Sequence, residues 1–190
     1  MSERDVNILG VGNPLMGDDG VGPAAIERLG ARGVPRGVHL WDAGLAVSDV
    51  LVVLDPADPL IVIDAVHGGG RAGDVHRMRL DVLALDAPGA RHMLSLHDVS
   101  VVPSLQMEIL SGRVFADVTV FGVEPGACQW GNGLSPAVAD ALEHVVDEIL
   151  THVRNEPAAH EPAASEPAAA AAGHVPNLGT LRAEAGDAPP

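Results

Sequence analysis

The chain has no lysine and no tyrosine, one cysteine, and only two tryptophans and two phenylalanines in 190 residues. A single cysteine excludes an internal disulfide and leaves too few thiols for a cysteine-built zinc site. With aromatics at 2%, the core must come from Val, Leu, Ile and Ala, and a hydrophobic content of 47% is enough to build one. Positive charge is also scarce. Eleven arginines stand against 26 acidic residues, a net charge of −15. Nucleic acid and anionic membrane are therefore not expected as partners, because the surface that would neutralise phosphates is missing. No apolar run approaches the ~20 residues of a membrane span. The opening MSERDVNILG carries charges of both signs before a run too short for a secretory leader. These absences lead to the expectation of an acidic cytoplasmic protein with one folded domain.

The end of the chain separates by composition. Residues 155–190 hold three Glu-Pro-Ala steps and an alanine run without a periodic Val/Leu/Ile pattern, and read as a disordered tail. Within 1–154, apolar strands alternate with helical segments. Val6–Val11 reads as a buried strand, and residues 20–30 as a helix with an aspartate cap before it and Gly30 or Gly33 to stop it. Val38–Trp41 is a second strand and Leu45–Leu54 a second helical segment. Leu60–Val66 is β-branched and apolar on both sides, as a strand buried on both faces requires. Asp74–Leu80 alternates like an edge strand. A helix is expected from near Asp98 to Leu110, and a last strand over Val118–Val123. Ser135 and Pro136 suit the cap and first turn of a final helix, whose Val138, Leu142, Val145, Ile149 and Val153 recur three or four apart. The expected fold is α/β, a mixed, mainly parallel sheet sandwiched between helices.

In such sheets ligands gather beyond the carboxyl ends of the parallel strands. That rule selects few polar residues here: Asn13 and the Asp18–Asp19 pair after the first strand, Asp42 after the second, and Asp64 in VIDAV of the third. A carboxylate inside a buried run costs several kcal/mol unless it is paired, hydrogen-bonded or bound to a cation. His97, in LSLHDVS, precedes the expected helix. Two or three carboxylates and an imidazole at one rim suit a divalent metal with open positions. Each residue also has a duller reading. Asp18 or Asp19 caps the helix that follows, Asp64 accepts backbone N–H bonds, Asp42 shapes a turn, His97 is a surface residue, and Asp98 is a cap.

Counting tests the glycine-rich GVGNPLMGDDGVG at 10–22. The dinucleotide fingerprint needs glycine at its first, third and sixth positions, and from Gly10 the sixth is Leu15. A P-loop needs a lysine, which the chain lacks, and two aspartates at a helix start would repel phosphate. Cys128 has no neighbouring His or Asn in sequence, no GxSxG elbow exists, and no histidine pair has metalloprotease spacing.

ILGVGNPLMGDDGVG, IVIDAVHGGGRAGDV, SLHDVS and FGVEP (Phe121–Pro125) occur in that order. This combination resembles the maturation endopeptidases of nickel–iron hydrogenases, across about residues 6–153. The resemblance implies a cytoplasmic, monomeric protease that removes a C-terminal extension from the hydrogenase large-subunit precursor after nickel insertion. It carries the metal-binding roles to Asp19, Asp64 and His97, with Asp19 standing where many members have glutamate. Asp42 matches a secondary position, and Asp19 or Asp42 is the candidate general base. With no cysteine or paired-histidine ligands for tight zinc, the expected metal is nickel supplied by the precursor. A nickel-dependent checkpoint protein that does not cleave, or a related peptidase with another substrate, would use the same residues.

Overall fold

In the computed structural model, residues 5–84, 101–131 and 133–155 are described. His97, Asp98 with the expected start of its helix, and the expected tail beyond Asn155 lie outside them. The elements are β1 (Val6–Val11), α1 (Val21–Arg32), β2 (Val38–Gly44), α2 (Val47–Leu51), β3 (Leu60–Ala65), β4 (Val75–Leu80), α3 (Val101–Leu110), β5 (Val118–Val123) and α4 (Pro136–Asn155). A 3-10 turn at Gly17–Gly20 leads into α1.

The five strands pair in the order β2-β1-β3-β5-β4. The first four are parallel, and β4 runs antiparallel to β5 at the edge. Strand alternation then sorts side chains onto two faces. Ile8, Ile61 and Ile63 pack with Val21, Ala25 and Leu29 of α1 and with the apolar stripe of α4. Leu9, Leu60 and Val62 pack with Val47 and Leu51 of α2 and with Val101 and Leu105 of α3. The sheet is therefore covered on both sides, with β1 and β3 buried at almost every position. Each fully buried Leu, Ile or Val contributes about 1.5–3 kcal/mol, so a core nearly free of aromatics is sufficient. All five residues of the expected α4 stripe are buried. No helix among the described residues is long and apolar enough to cross a membrane.

Two glycines in the opening motif set how closely α1 approaches the sheet. A Cβ on Gly22 would lie 2.2 Å from the Val11 carbonyl oxygen and 2.5 Å from that of Ile63. A Cβ on Gly12, which has φ +126°, would lie 1.8 Å from the Asp19 carbonyl oxygen. These glycines make room for backbone against backbone.

The chain leaves β1 for β2 on one side through α1, then returns past β1 to β3 through α2. The connections diverge between β1 and β3, which makes the carboxyl ends of these two strands the topological switch point.

Candidate active site

A cavity of about 500 Å³ opens at that switch point. Gly12 and Asp19 from the β1–α1 loop, Asp64 and His67 from the end of β3, Ser48 of α2 and Cys128 line it. Asp64 continues the alternation of Leu60 and Val62, so it points to the α2/α3 side, and it is only 2% exposed. Asp19 is half-buried, and its Oδ2 accepts the Asn13 N–H at 2.8 Å. Asn13 in turn accepts the Leu15 N–H at 3.0 Å, which fixes the loop that carries Asp19. Thus two of the three expected metal-binding side chains face one cavity. His97 lies outside the described residues. Among those described, no group of three or more His, Cys, Asp or Glu side chains is placed to hold a metal.

Asp42 goes elsewhere. β2 continues to Gly44 rather than ending at Trp41, so Asp42 lies within the strand, in register with Gly10. Leu40 packs toward the α1/α4 layer, and alternation places Asp42 on that same face. Its exposed carboxylate accepts the Gly44 N–H at 3.1 Å and lines a different cavity, beside Pro14 and Glu27. The turn-shaping reading of Asp42 is therefore present in the structure.

The expected aspartate cap is corrected. The residue before α1 is Gly20, with no side-chain cap bond, and none is made at the start of the preceding 3-10 turn. Asp18 instead reaches across the molecule. Its Oδ2 accepts the Gly126 and Ala127 amides at 2.8 and 3.0 Å and the Ser135 hydroxyl at 2.9 Å, and its Oδ1 accepts the Ser135 amide at 2.6 Å. Burial works against ionisation, but the Ser135 and Ala127 amides, the Ser135 hydroxyl and the Gly126 amide outweigh it and hold the carboxyl below its ordinary pKa. Asp18 is thus a charged clamp on the loop that carries Cys128.

A second carboxylate clamps the loop that follows β3. Glu124, 5% exposed, accepts the Gly68 N–H at 2.7 Å, and the Gly69 and Gly70 amides lie alongside. Burial again opposes ionisation, and the Gly68, Gly70 and Gly69 amides with His76 outweigh it, lowering the pKa. His76 Nε2 lies 3.5 Å from the Glu124 carboxylate, longer than a good hydrogen bond. The glutamate of FGVEP therefore fixes the loop on which His67 reaches the cavity.

His67 and Cys128 were not selected as site residues by sequence. His67 has no paired histidine, and its one signal is its place three residues beyond Asp64. Cys128 carries no local signal. Its pKa is raised, first by desolvation and then by the charges of Asp19, Asp18 and Asp64, against a lowering contact from the Asp19 backbone amide. Burial and the acidic wall both favour the thiol over the thiolate, the better nucleophile. The cavity therefore offers carboxylates and imidazole for binding a cation or moving protons, and no activated nucleophile among its described residues.

Comparison with known proteins gives the family and the fold. Residues 23–152 match the family model described as hydrogenase maturation protease. The chain is 33% identical over 154 residues to the hydrogenase expression/formation protein HupD of Rhodobacter capsulatus, covering 78% of this chain and 71% of that one. It is 27% identical over 149 residues to the hydrogenase 2 maturation protease of Escherichia coli K12, covering 77% and 89%. Among solved structures, the hydrogenase maturating endopeptidase HybD of E. coli superposes with a TM-score of 0.67 at 27% identity, over 80% of this chain and 94% of that one. The hydrogenase 2 maturation peptidase of Thaumarchaeota archaeon SCGC_AB-539-E09 gives 0.63 at 31%, over 80% and 99%.

Proposed function

The chain belongs to the hydrogenase maturation proteases, and from that premise we propose that it removes the C-terminal extension of a nickel–iron hydrogenase large-subunit precursor once nickel has been inserted. The nickel is part of the substrate. Asp19 and Asp64, with His97, meet the ion in the precursor, and this contact brings the scissile bond to the cavity. The observation that carries the reading is that Asp19 and Asp64, distant in sequence, line one cavity at the switch point.

Proximity supplies much of the rate in this scheme, because a metal already seated in the substrate serves as the handle that orients the bond. The ion contributes Lewis acidity beside that bond. Asp19 is assigned the general base. It is half-buried, held at one oxygen by Asn13, and faces the cavity, whereas Asp42 faces the α1 layer. Water is the attacking group in this scheme, with Asp19 taking its proton, and the acidic surroundings of Cys128 disfavour its thiolate.

The test is to incubate the full chain with nickel-loaded and nickel-free precursor and weigh the products. A shortened C-terminus in the loaded sample alone is the expected result. Equal cutting of both samples would remove the nickel handle, and a stable complex of unchanged mass would make the protein a checkpoint that does not cleave.

A further inference from the structure

The chain spends its few large aromatics unevenly. Phe115 and Phe121 are each 1% exposed in the core, and Trp41 is half-buried with its indole N–H donated to Asn7. Trp130 alone is displayed, at 78% exposure. It lies two residues beyond Cys128 of the cavity wall. Beside it is Leu15, 49% exposed, whose carbonyl accepts the Gly131 N–H at 3.0 Å. Leu45, 76% exposed, lines the cavity itself. Leu45 therefore borders an opening whose described lining carries Asp19, Asp49 and Asp64 and no arginine, and the segment bearing Trp130 continues from that lining at Cys128.

The segment bearing Trp130 is held in place before any partner arrives. Asp18 fixes Gly126, Ala127 and Ser135. The Gly17 amide donates to the Gly131 carbonyl at 3.2 Å and the Asp18 amide to the Ala127 carbonyl at 3.1 Å. An exposed tryptophan on a pre-organised loop is the feature that binding energy concentrates on, because little further entropy is lost when it is covered.

We propose that Trp130 and Leu15 form an apolar ridge that docks the precursor segment leading into the scissile bond. This rests on the function proposed above. The occupant is an extended peptide. Its cationic, metal-bearing part enters the acidic cavity by charge complementarity, while an adjoining apolar side chain covers the Trp130 ring. The ridge acts in specificity: it selects precursors with an apolar residue beside the metal-bearing part, and it takes no part in bond breaking.

The experiment measures initial rates of cleavage by the full chain over a range of nickel-loaded precursor concentrations. Trp130→Ala is expected to lower kcat/KM about ten-fold or more, mainly through KM, with Trp130→Phe restoring most of it. Leu15→Ala is expected to act in the same direction and carries the test independently if Trp130→Ala does not fold by circular dichroism. Leu110→Ala, at an exposed leucine that ends α3 and is not part of the ridge, is the control at wild-type rate. A kcat/KM within two-fold of wild type for both ridge variants would overturn the docking assignment. So would a wild-type dimer in sedimentation that Trp130→Ala converts to monomer without changing cleavage, since the ridge would then bind a second copy. Absence of cleavage by the wild-type chain would instead overturn the function on which the proposal rests.

Discussion

Asp18 and Ser135, 117 positions apart, are joined twice: the Ser135 amide donates to Oδ1 at 2.6 Å and its hydroxyl to Oδ2 at 2.9 Å. The joint ties the start of α4 to the turn before α1, on the face where Arg28 pairs with Glu143 and Arg32 with Asp147. Those outer pairs are solvent-exposed and contribute little. Asp18 itself is buried and its bonds are partly so, and its loss would leave two Ser135 donors and the Gly126 and Ala127 amides without their acceptor.

Asp18→Ala is therefore expected to lower stability at pH 7 by about 2–4 kcal/mol, measured by urea unfolding. The dependence on pH has a definite sign. The folded-state pKa lies below the ordinary aspartate value of about 3.9, so the carboxylate stabilises the fold fully above that value and progressively less as pH falls toward the lower folded value. The gap between wild type and variant should stay constant from neutral pH to about 5 and shrink below about 3.9. A gap that stays constant down to pH 2.5 would show that the charge is not what stabilises the joint.

Gly22 offers a steric contrast with Gly33. A methyl group on Gly22 meets two carbonyl oxygens, on β1 and β3, neither at the end of a flexible side chain. Gly22→Ala is expected to cost about 3 kcal/mol or more and to reduce soluble yield. At Gly33, beyond α1, nothing lies within 4 Å, and only the φ of +74° opposes a side chain. Gly33→Ala is expected to cost about 1–2 kcal/mol from backbone strain alone. Melting temperatures of the two variants decide the matter, and equal losses would refute the close approach of α1.

Much of this architecture was legible in the sequence because it rests on local periodicity. β1 and β5 were read with the bounds the structure has, β3 to within a residue, and the apolar stripe of α4 emerged whole. The strand-end rule also brought Asp19 and Asp64 to one rim. What was not legible depends on partners far along the chain. Asp18 has the residue type and position of a helix cap, and only the fold supplies the amides at 126, 127 and 135 that draw it away. Asp42, expected just after a strand ending at Trp41, lies inside β2, which runs on to Gly44, and the face a side chain takes follows from the register of its strand, which composition does not reveal. The opening glycines look like a phosphate loop, yet serve the contact of α1 with β1 and β3.

Cys128 supplies a prediction about reactivity. Desolvation and the charges of Asp19, Asp18 and Asp64 raise its pKa, so iodoacetamide should modify it more slowly at pH 8 than an unperturbed thiol. Asp19→Asn and Asp64→Asn each remove one of the repelling charges and should speed alkylation. Cys128→Ser is expected to retain cleavage within about three-fold, since surroundings that disfavour the thiolate do not favour a nucleophilic role. Complete loss of cleavage in Cys128→Ser, with the fold intact, would make the cysteine catalytic.

Asp64→Asn tests the role of the buried carboxylate. Asparagine has nearly the same volume, so the packing of β3 between Leu9 and Val120 layers should survive and the melting temperature should change by only a few degrees. The charge that faces the cavity is lost, however, and with it the attraction for a cation held in the precursor. Cleavage of nickel-loaded precursor is expected to fall by about 100-fold or more. The comparison with nickel-free precursor makes the result specific. If Asp64 acts by meeting the metal, the wild type should distinguish loaded from free precursor while Asp64→Asn cuts both at one low rate. If Asp64 only supports the strand end, the variant should cut more slowly and still prefer the loaded form. Mass spectrometry of the precursor C-terminus at timed intervals separates the two outcomes.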